Sequence, residues 1–81
     1  MAMATSERVA NVFQKAFGLG AASFSADLTP EDVPNWDSIG HMNLVMYLEQ
    51  EFKQHFDVDE IMEMSSPAKI MEILAAKGVA D

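Results

Sequence analysis

The segment from Asp37 to Gln54 constrains the fold more than any other part of this 81-residue chain. It has no proline and one glycine, and its apolar side chains, placed at helical spacing, cover more than half of the helix circumference. These side chains are Ile39, Met42, Leu44, Val45, Met46, Leu48 and Phe52. Because so wide an apolar face needs several neighbours to cover it, the segment predicts the central helix of a bundle.

A second helical pattern precedes the central helix and is separated from it by a long loop. Apolar residues at helical spacing predict a first helix over about 6 to 17, with Thr5 or Ser6 as its N-cap and Gly18 at its end. From Gly18 to Trp36 no periodicity is sustained, and glycines and prolines interrupt the chain. Loops of this length are uncommon in small domains and tend to be functional.

The remainder of the chain predicts one short helix and one longer helix. The short third helix runs from Glu60 to Met64. Ser66 as the N-cap and Pro67 at the first helical position begin the last helix, and Gly78 follows its end. Because no stretch alternates like a strand, we predict one all-α domain over residues 1–81, a four-helix bundle with a long first loop and a short third helix.

The charge of the chain is strongly negative and unevenly placed. Thirteen acidic residues stand against five basic ones, for a net charge of −8, and the part from 18 to 66 holds one basic residue, Lys53. Such a surface repels nucleic acid. It either steers basic partner proteins toward the chain or simply keeps the chain soluble, and the charge alone favours neither interpretation.

Size and composition exclude several classes of function. A chain this short leaves little room for a deep active-site cavity, so we expect a protein that is not itself an enzyme. There is no cysteine, which excludes disulfides and thiolate metal sites. No apolar run approaches the roughly 18 residues that span a bilayer. The first residues also lack a signal-peptide pattern, so we expect a soluble, cytoplasmic protein. We also expect it to be a monomer.

Ser38 is the most distinctive candidate for chemistry. It directly follows Asp37 at the junction of the long loop and the central helix, where its hydroxyl should be exposed. The free N–H groups of a helix's first turn favour an anion, so a phosphodiester on Ser38 would be tolerated there. Asp37 would repel that phosphate unless a divalent cation bridged the two during its transfer. In the simpler alternative, Asp37 or Ser38 only caps the helix.

The residues around Ser38 match a known pattern. Asp37-Ser38-Ile39, followed by Leu44-Val45-Met46 and by the segment from Leu48 to Phe52, resembles the signature of acyl carrier proteins. In that family, Asp-Ser-Leu opens the second helix of a four-helix bundle, and the resemblance extends over nearly the whole chain. It implies that Ser38 carries a 4′-phosphopantetheine arm, transferred from coenzyme A by a magnesium-dependent phosphopantetheinyl transferase.

The same resemblance implies a carrier function. The thiol of the arm would hold acyl groups as thioesters and present them to acyl-transfer, ketosynthase or ligase-type enzymes with basic docking patches, in lipid or polyketide-type biosynthesis. The missing cysteine fits, because the arm supplies the thiol. A peptidyl-type carrier shares the arm but is usually less acidic. An alternative from a different functional class is an interaction module: an acidic helical protein that is not modified and that docks one basic protein.

We expect partners to dock on the second helix and on the segment that follows it. The residues of this docking face would be Asp37, Ile39, Gly40, Asn43, Glu49, Glu51, Asp57, Glu60 and Glu63. Gly40 and Asn43 stand where housekeeping fatty-acid carriers usually have acidic residues. The segment 36–44 looks more like the discrete carriers of specialised lipid or secondary-metabolite pathways. Alternatively, Gly40 and Asn43 reflect neutral sequence drift at a surface on which other acidic residues still supply negative charge.

The histidine, the acidic run and the methionines near Ser38 or after the central helix are explained without catalysis or metal binding. His41 could be the base of a Ser-His dyad, but no acid follows to orient it and no nucleophile elbow surrounds Ser38, so we expect a surface histidine. The acidic run from Asp57 to Glu60 lacks the spacing of an EF-hand loop, and we predict no metal site. Five methionines either fill the core or form a pliant core that shelters an acyl chain: Met42, Met46, Met62, Met64 and Met71.

Overall fold

Four helices and no strand make up residues 4–79, the part of the chain that the computed structural model describes. Helix α1 spans Thr5–Phe17, α2 spans Ser38–Phe52, α3 spans Val58–Glu63 and α4 spans Pro67–Ala76. A short 3₁₀ turn at Ala21–Ser23 interrupts the loop between α1 and α2. The predicted all-α bundle is confirmed, with its long first loop and its short third helix. No helix within residues 4–79 is long and apolar enough to cross a lipid bilayer.

Three helix ends lie at the capping residues that the sequence indicated. Asp37 caps α2, since its Oδ1 accepts a hydrogen bond from the Gly40 N–H at 2.8 Å. Ser66 caps α4 in the same way, with the Lys69 N–H donating to its Oγ at 3.2 Å. Gly18 ends α1 in the left-handed conformation with φ of 69°, where glycine meets no steric penalty.

Two helices begin earlier than predicted. The N-cap of α1 is Ala4, which forms no side-chain cap, while Thr5 is already helical and is buried. Helix α3 begins at Val58 because Asp57 and Glu60 form a reciprocal capping box. The Glu60 N–H donates to Asp57 Oδ1 at 2.9 Å, and the Asp57 N–H donates to Glu60 Oε1 at 3.0 Å.

Helices α1 and α2 form an antiparallel pair. At one end, Arg8 donates from Nε to Glu51 Oε2 at 2.9 Å and from Nη2 to the Glu51 carbonyl oxygen at 2.7 Å. At the other end, the ring of Phe17 packs against Trp36, with centroids 5.7 Å apart, just before α2 begins. Ser38 therefore lies at the end remote from Arg8, about 20 Å along α2 from Glu51 at the standard helical rise.

The core is one cluster of buried apolar side chains to which α1, α2, α4 and the connecting segments contribute. Its members are Val9, Val12, Phe13, Val33, Trp36, Leu44, Val45, Leu48, Phe52, Phe56, Met64, Ile70, Ile73 and Leu74. The buried face of α2 is narrower than its apolar arc predicted. Ile39, Met42 and Met46 are exposed, because no other helix covers that side of α2 closely.

The long loop lies against the bundle. Val33 and Trp36 are buried, and Phe24 packs partly against the core. Aromatic contacts join the loop to α1: the ring centroid of Phe13 lies 5.5 Å from that of Phe24 and 5.2 Å from that of Trp36, both edge to face. These contacts fix the direction in which the chain enters α2.

Gly40 lets the loop backbone approach α2 closely. A Cβ atom at this position would collide with the carbonyl oxygen of Asn35 and would come within 3.0 Å of the Phe17 ring. Asn35 has a left-handed backbone with φ of 73°, which asparagine tolerates better than most residues. The structure therefore corrects the placement of Gly40 on an exposed docking face: Gly40 is buried, and the loop requires a residue without a side chain there.

Gly40→Ala should destabilise the protein, although alanine normally favours a helix over glycine by about 1 kcal/mol. Accommodating the new methyl group forces the loop at Asn35 to move, and overpacking of this kind typically costs about 1 to 3 kcal/mol. Urea unfolding measures the free-energy difference. Gly20→Ala is the matched control, since a Cβ there meets no atom within 4 Å. A Gly40→Ala protein as stable as the wild type would contradict the close approach.

Candidate functional site

Ser38 is the first residue of α2, and it is exposed, as predicted. The preceding Asp37 is extended, and its carboxylate accepts the Gly40 N–H, so part of its hydrogen-bonding capacity is used by the helix. As in any helix, the first N–H groups, here those of Ser38 and Ile39, have no acceptor within the helix. The hydroxyl of Ser38 therefore lies beside backbone groups that favour negative charge.

A groove of about 570 Å³ opens beside Ser38. It is lined by Pro30, Trp36, Asp37, Ser38, His41, Met42, Met62, Met64 and Ser65, which come from the loop, the start of α2, α3 and the residues just after α3. An indole ring and three thioethers make much of this wall apolar, and methionine side chains adapt readily to different shapes. An apolar group held near Ser38 would therefore find an adaptable apolar wall.

The methionines are more exposed than side chains that fill a core would be. Met64 is buried and Met71 is half-buried, but Met42, Met46 and Met62 are exposed, Met62 to 77%. The physical reason is that α3 is short and leaves the facing side of α2 open. Three of the five methionines thus border on solvent, and the two from α2 and α3 that line the groove lie on either side of it.

His41 lines the same groove, but both of its ring nitrogens are engaged. The Trp36 Nε1–H donates to His41 Nδ1 at 2.8 Å, and His41 Nε2 lies 2.8 Å from the carbonyl oxygen of Ile61 in α3. An indole nitrogen only donates, so Nδ1 accepts, and the proton on Nε2 is donated to Ile61. No lone pair remains to deprotonate Ser38. The expected surface histidine is thus half-buried and structural, and the geometry rejects the Ser-His dyad.

Three of the acidic residues predicted for docking are held in internal contacts. Glu51 pairs with the arginine of α1. Glu49 accepts the Phe56 N–H at 3.0 Å, and Glu60 both caps α3 and lies 3.0 Å from the Nζ of Lys77. Each of these carboxylates is half-buried. Their negative charge is therefore partly committed to the fold rather than displayed to a partner.

The other predicted docking residues lie at the surface. Asp37 and Asp57 are exposed even though each caps a helix, and Glu63 is exposed at the end of α3. Ile39 is 76% exposed, and Asn43 is exposed on the same helix. That these residues contact a partner stays a prediction.

Sequence reasoning did not find the groove. Periodicity cannot show that α3 returns to the start of α2, because a helix of six residues has no extended pattern to interpret. Pro30 indicated only a loop, and neither Pro30 nor Ser65 indicated a groove. The available signal was the pair Met62 and Met64, two methionines in a segment rich in acidic and polar residues.

Few groups near Ser38 are placed to activate its hydroxyl. Within residues 4–79, no cluster of three or more histidines and carboxylates is placed to hold a metal ion. His41, the histidine that lines the groove, has no free lone pair. A serine without an activating base is a weak nucleophile.

Comparison with known proteins supports this architecture. No protein-family model and no curated protein matches the chain. The chain is similar to the solution NMR structure of the holo acyl carrier protein from Geobacter metallireducens, with a TM-score of 0.79 and 24% sequence identity, over 93% of this chain and 86% of that one. This chain has the fold of an acyl carrier protein. At this identity the likeness shows the fold alone.

Two substitutions at Asp37 separate its hydrogen bond from its charge in this acyl carrier fold. Asp37→Asn keeps an oxygen that accepts the Gly40 N–H, so its free energy of unfolding should stay close to that of the wild type. Asp37→Ala loses the acceptor and should be less stable by about 0.5 to 2 kcal/mol. Urea unfolding measures both. An equal loss in the two variants would show that the charge, rather than the hydrogen bond, stabilises the start of α2.

Proposed function

We propose that this chain is an acyl carrier protein that carries a 4′-phosphopantetheine arm on Ser38. The observation that carries the proposal is the exposed Ser38 hydroxyl at the start of α2, beside an apolar groove, in a chain with the acyl carrier fold. The similar Geobacter protein is a holo acyl carrier protein, which supports this assignment. In this proposal the chain is a substrate of other enzymes and is not itself an enzyme.

A separate phosphopantetheinyl transferase would attach the arm, with coenzyme A as the donor. The Ser38 oxygen bonds to the β-phosphorus of coenzyme A, and the pyrophosphate bond to the leaving adenosine 3′,5′-bisphosphate breaks. The hydroxyl proton passes to a base of the transferase, because His41 has no lone pair to accept it. The exposure of Ser38 gives that enzyme access to the hydroxyl.

The start of α2 fits a phosphodiester on Ser38. The N–H groups of Ser38 and Ile39 have no helical acceptor, and the positive end of the helix dipole favours an anion there. The carboxylate of Asp37 opposes this effect, since it brings a second negative charge close to the phosphate. A divalent cation held between Asp37 and coenzyme A during the transfer would neutralise that repulsion, which supports a magnesium-dependent transferase.

The arm would supply the thiol that this cysteine-free chain lacks, and that thiol would hold acyl groups as thioesters. The chain itself would contribute the groove wall, where Met42, Met62 and Met64 could cover part of an acyl chain. Each methylene group removed fully from water contributes about 0.8 kcal/mol. Because the groove is open on one side, it would cover such a chain only in part.

Partner enzymes with basic patches would approach the exposed residues near the groove. We define this docking surface by Asp37, Ile39, Asn43, Asp57 and Glu63, which combine negative charge with an exposed apolar side chain. Charged residues at the rim of an interface act mainly on the rate of association. Three acidic residues of the predicted face are assigned instead to internal contacts: Glu49, Glu51 and Glu60.

We further propose that the partners are lipid or polyketide-type biosynthetic enzymes of a specialised pathway. Asn43 alone supports this proposal by reducing the negative charge beside Ser38, because Gly40 is buried and a side chain there would meet Asn35. Gly40→Asp would therefore disturb the loop before Ser38 instead of restoring an acidic surface. Asn43 is the position at which the exposed charge differs from that of the housekeeping carriers.

Ser38→Ala should abolish attachment of the arm and leave the helix content unchanged, because it removes one exposed hydroxyl. Each protein is produced together with a phosphopantetheinyl transferase, and its intact mass is measured. The wild type should gain one arm and the variant none.

Ser65→Ala is the matched control, since Ser65 is exposed and lines the same groove but should not be modified. A wild-type chain that gains no arm would contradict the proposal and favour the unmodified acidic interaction module. Continued modification of Ser38→Ala would exclude Ser38 as the attachment point.

Glu63→Lys should slow modification by the transferase. An exposed ion pair is worth about 0 to 1 kcal/mol, so the rate should fall by about fivefold at most. Added salt should slow the wild type and reduce the difference between the two proteins. Glu7→Lys is the control, because Glu7 is exposed in the first turn of α1, at the end remote from Ser38, and the charge change is the same. Equal rates for the two variants would mean that the acidity serves solubility.

A further inference from the structure

One imidazole ring links the loop, α2 and α3. We call this link the His41 tie and define it as the hydrogen bonds from Trp36 Nε1–H to His41 Nδ1 and from His41 Nε2–H to the Ile61 carbonyl oxygen, each 2.8 Å long. The indole and imidazole planes are within 13° of parallel. Trp36 is 5% exposed and contacts the rings of Phe13 and Phe17, so this side of the tie is anchored in the core.

Helix α3 has few other attachments to the bundle. None of its six residues is buried, although Ile61 packs partly against the core and Met64, directly after its end, is buried. Glu60 connects α3 to Lys77, which lies at the end of α4. Within residues 4–79, the His41 tie is the hydrogen-bonded connection between α3 and α2.

The tie lies where a shift of α3 would change the groove. His41 and Ser38 lie one helical turn apart on α2, and both line the groove. Ile61 directly precedes Met62, which lines the groove from the side of α3. The separation between His41 and the Ile61 carbonyl group therefore sets the separation between Met62 and the start of α2.

We propose that His41 is a positioning residue that holds α3 against the start of α2 and so sets the width of the groove beside Ser38. The inference rests on the proposed function for the occupant of the groove, an acyl chain on the arm of Ser38. His41 would act on the space available to that chain through α3, without touching the thioester. The tie itself is a property of the unmodified chain and is measured there.

Asparagine and glutamine at position 41 divide the tie into its two halves. The amide oxygen of asparagine takes the place of Nδ1, and the amide nitrogen of glutamine takes the place of Nε2. His41→Asn therefore keeps the acceptor for Trp36 and loses the donor to Ile61, whereas His41→Gln keeps that donor. The two variants differ in whether α3 remains bonded to α2.

Amide hydrogen exchange in the unmodified chain reports the attachment of α3, because the N–H groups of Ile61 and Met64 are both hydrogen-bonded in this segment. Loss of one hydrogen bond should make their exchange about fivefold faster in His41→Asn. Their exchange should stay near the wild-type rate in His41→Gln. The methyl signal of Met62 should shift in the first variant and not in the second, since Met62 moves with α3.

Two references separate positioning from a general loss of stability. Exchange of the buried residues Ile73 and Leu74 in α4 reports global unfolding, and the rates in α3 are compared with theirs. His55→Asn is the matched control at the other histidine, whose side chain is 90% exposed. In the wild type, nitrogen-15 spectra at neutral pH should show His41 as the Nε2–H tautomer.

Three results would overturn the inference. They are unchanged exchange of α3 relative to α4 in His41→Asn, equal loosening of α3 in His41→Gln, and a proton on Nδ1 of His41 in the wild type. None of these results depends on the arm. A chain that shows the expected exchange pattern but gains no arm would instead overturn the proposed function and leave the tie established.

Discussion

The contact between Gly40 and the backbone of Asn35 is the constraint on which the arrangement around Ser38 depends. The chain passes from a buried Trp36 to an exposed Ser38 over a very short distance, so it must turn sharply against α2. The left-handed conformation of Asn35 makes the turn, and the missing side chain of Gly40 leaves room for it. The same turn places the indole in the aromatic cluster with Phe13 and orients α2 so that its first hydroxyl faces solvent.

The engagement of His41 has a chemical consequence for the proposed function. A neutral imidazole with a free lone pair beside a thioester would act as a general base and activate water for hydrolysis. In this chain Trp36 occupies that lone pair, and the Nε2 proton is committed to Ile61. The residue nearest in kind to a catalytic base is thus withheld from the groove beside Ser38. In the proposed function, an acyl group there would lie near Trp36, Met42 and Met62 and beside an imidazole that has no free lone pair.

The sequence was sufficient for the features that depend on neighbours along the chain. The apolar periods, the caps at Asp37 and Ser66 and the exposure of Ser38 are local, and the structure contains them. The spacing of Asp57 and Glu60 is also that of a capping box, which starts α3 at Val58. The apolar pattern alone placed that start at Glu60. Contacts between segments that are distant along the chain could not be predicted from the sequence. Arg8 and Glu51 lie 43 positions apart, and no pattern in composition shows that this carboxylate is paired.

Long-range contacts also explain the remaining corrections. Gly40 appeared as a surface position because helical geometry alone does not show that the loop crosses over it. His41 appeared as a surface histidine because neither Trp36 nor Ile61 is within one helical turn of it along α2. Each of these errors concerns a residue whose partner lies on another element, and the region around Ser38 is where the loop, α2 and α3 meet. The local pattern therefore predicted the position and exposure of Ser38, and only the fold shows the walls of the groove beside it.

The clamp formed by Arg8 gives the bundle a fixed end and an accessible end. Its guanidinium bonds the side chain and the carbonyl group of Glu51 and lies 4.4 Å from the centroid of the Phe52 ring, which ties the start of α1 to the end of α2. Ser38 and the groove lie at the opposite end. A second protein or a solid support coupled to the exposed side chain of Glu7 would thus lie at the end of the bundle remote from Ser38. The hydroxyl of Ser38 would remain exposed to solvent at the other end of the bundle.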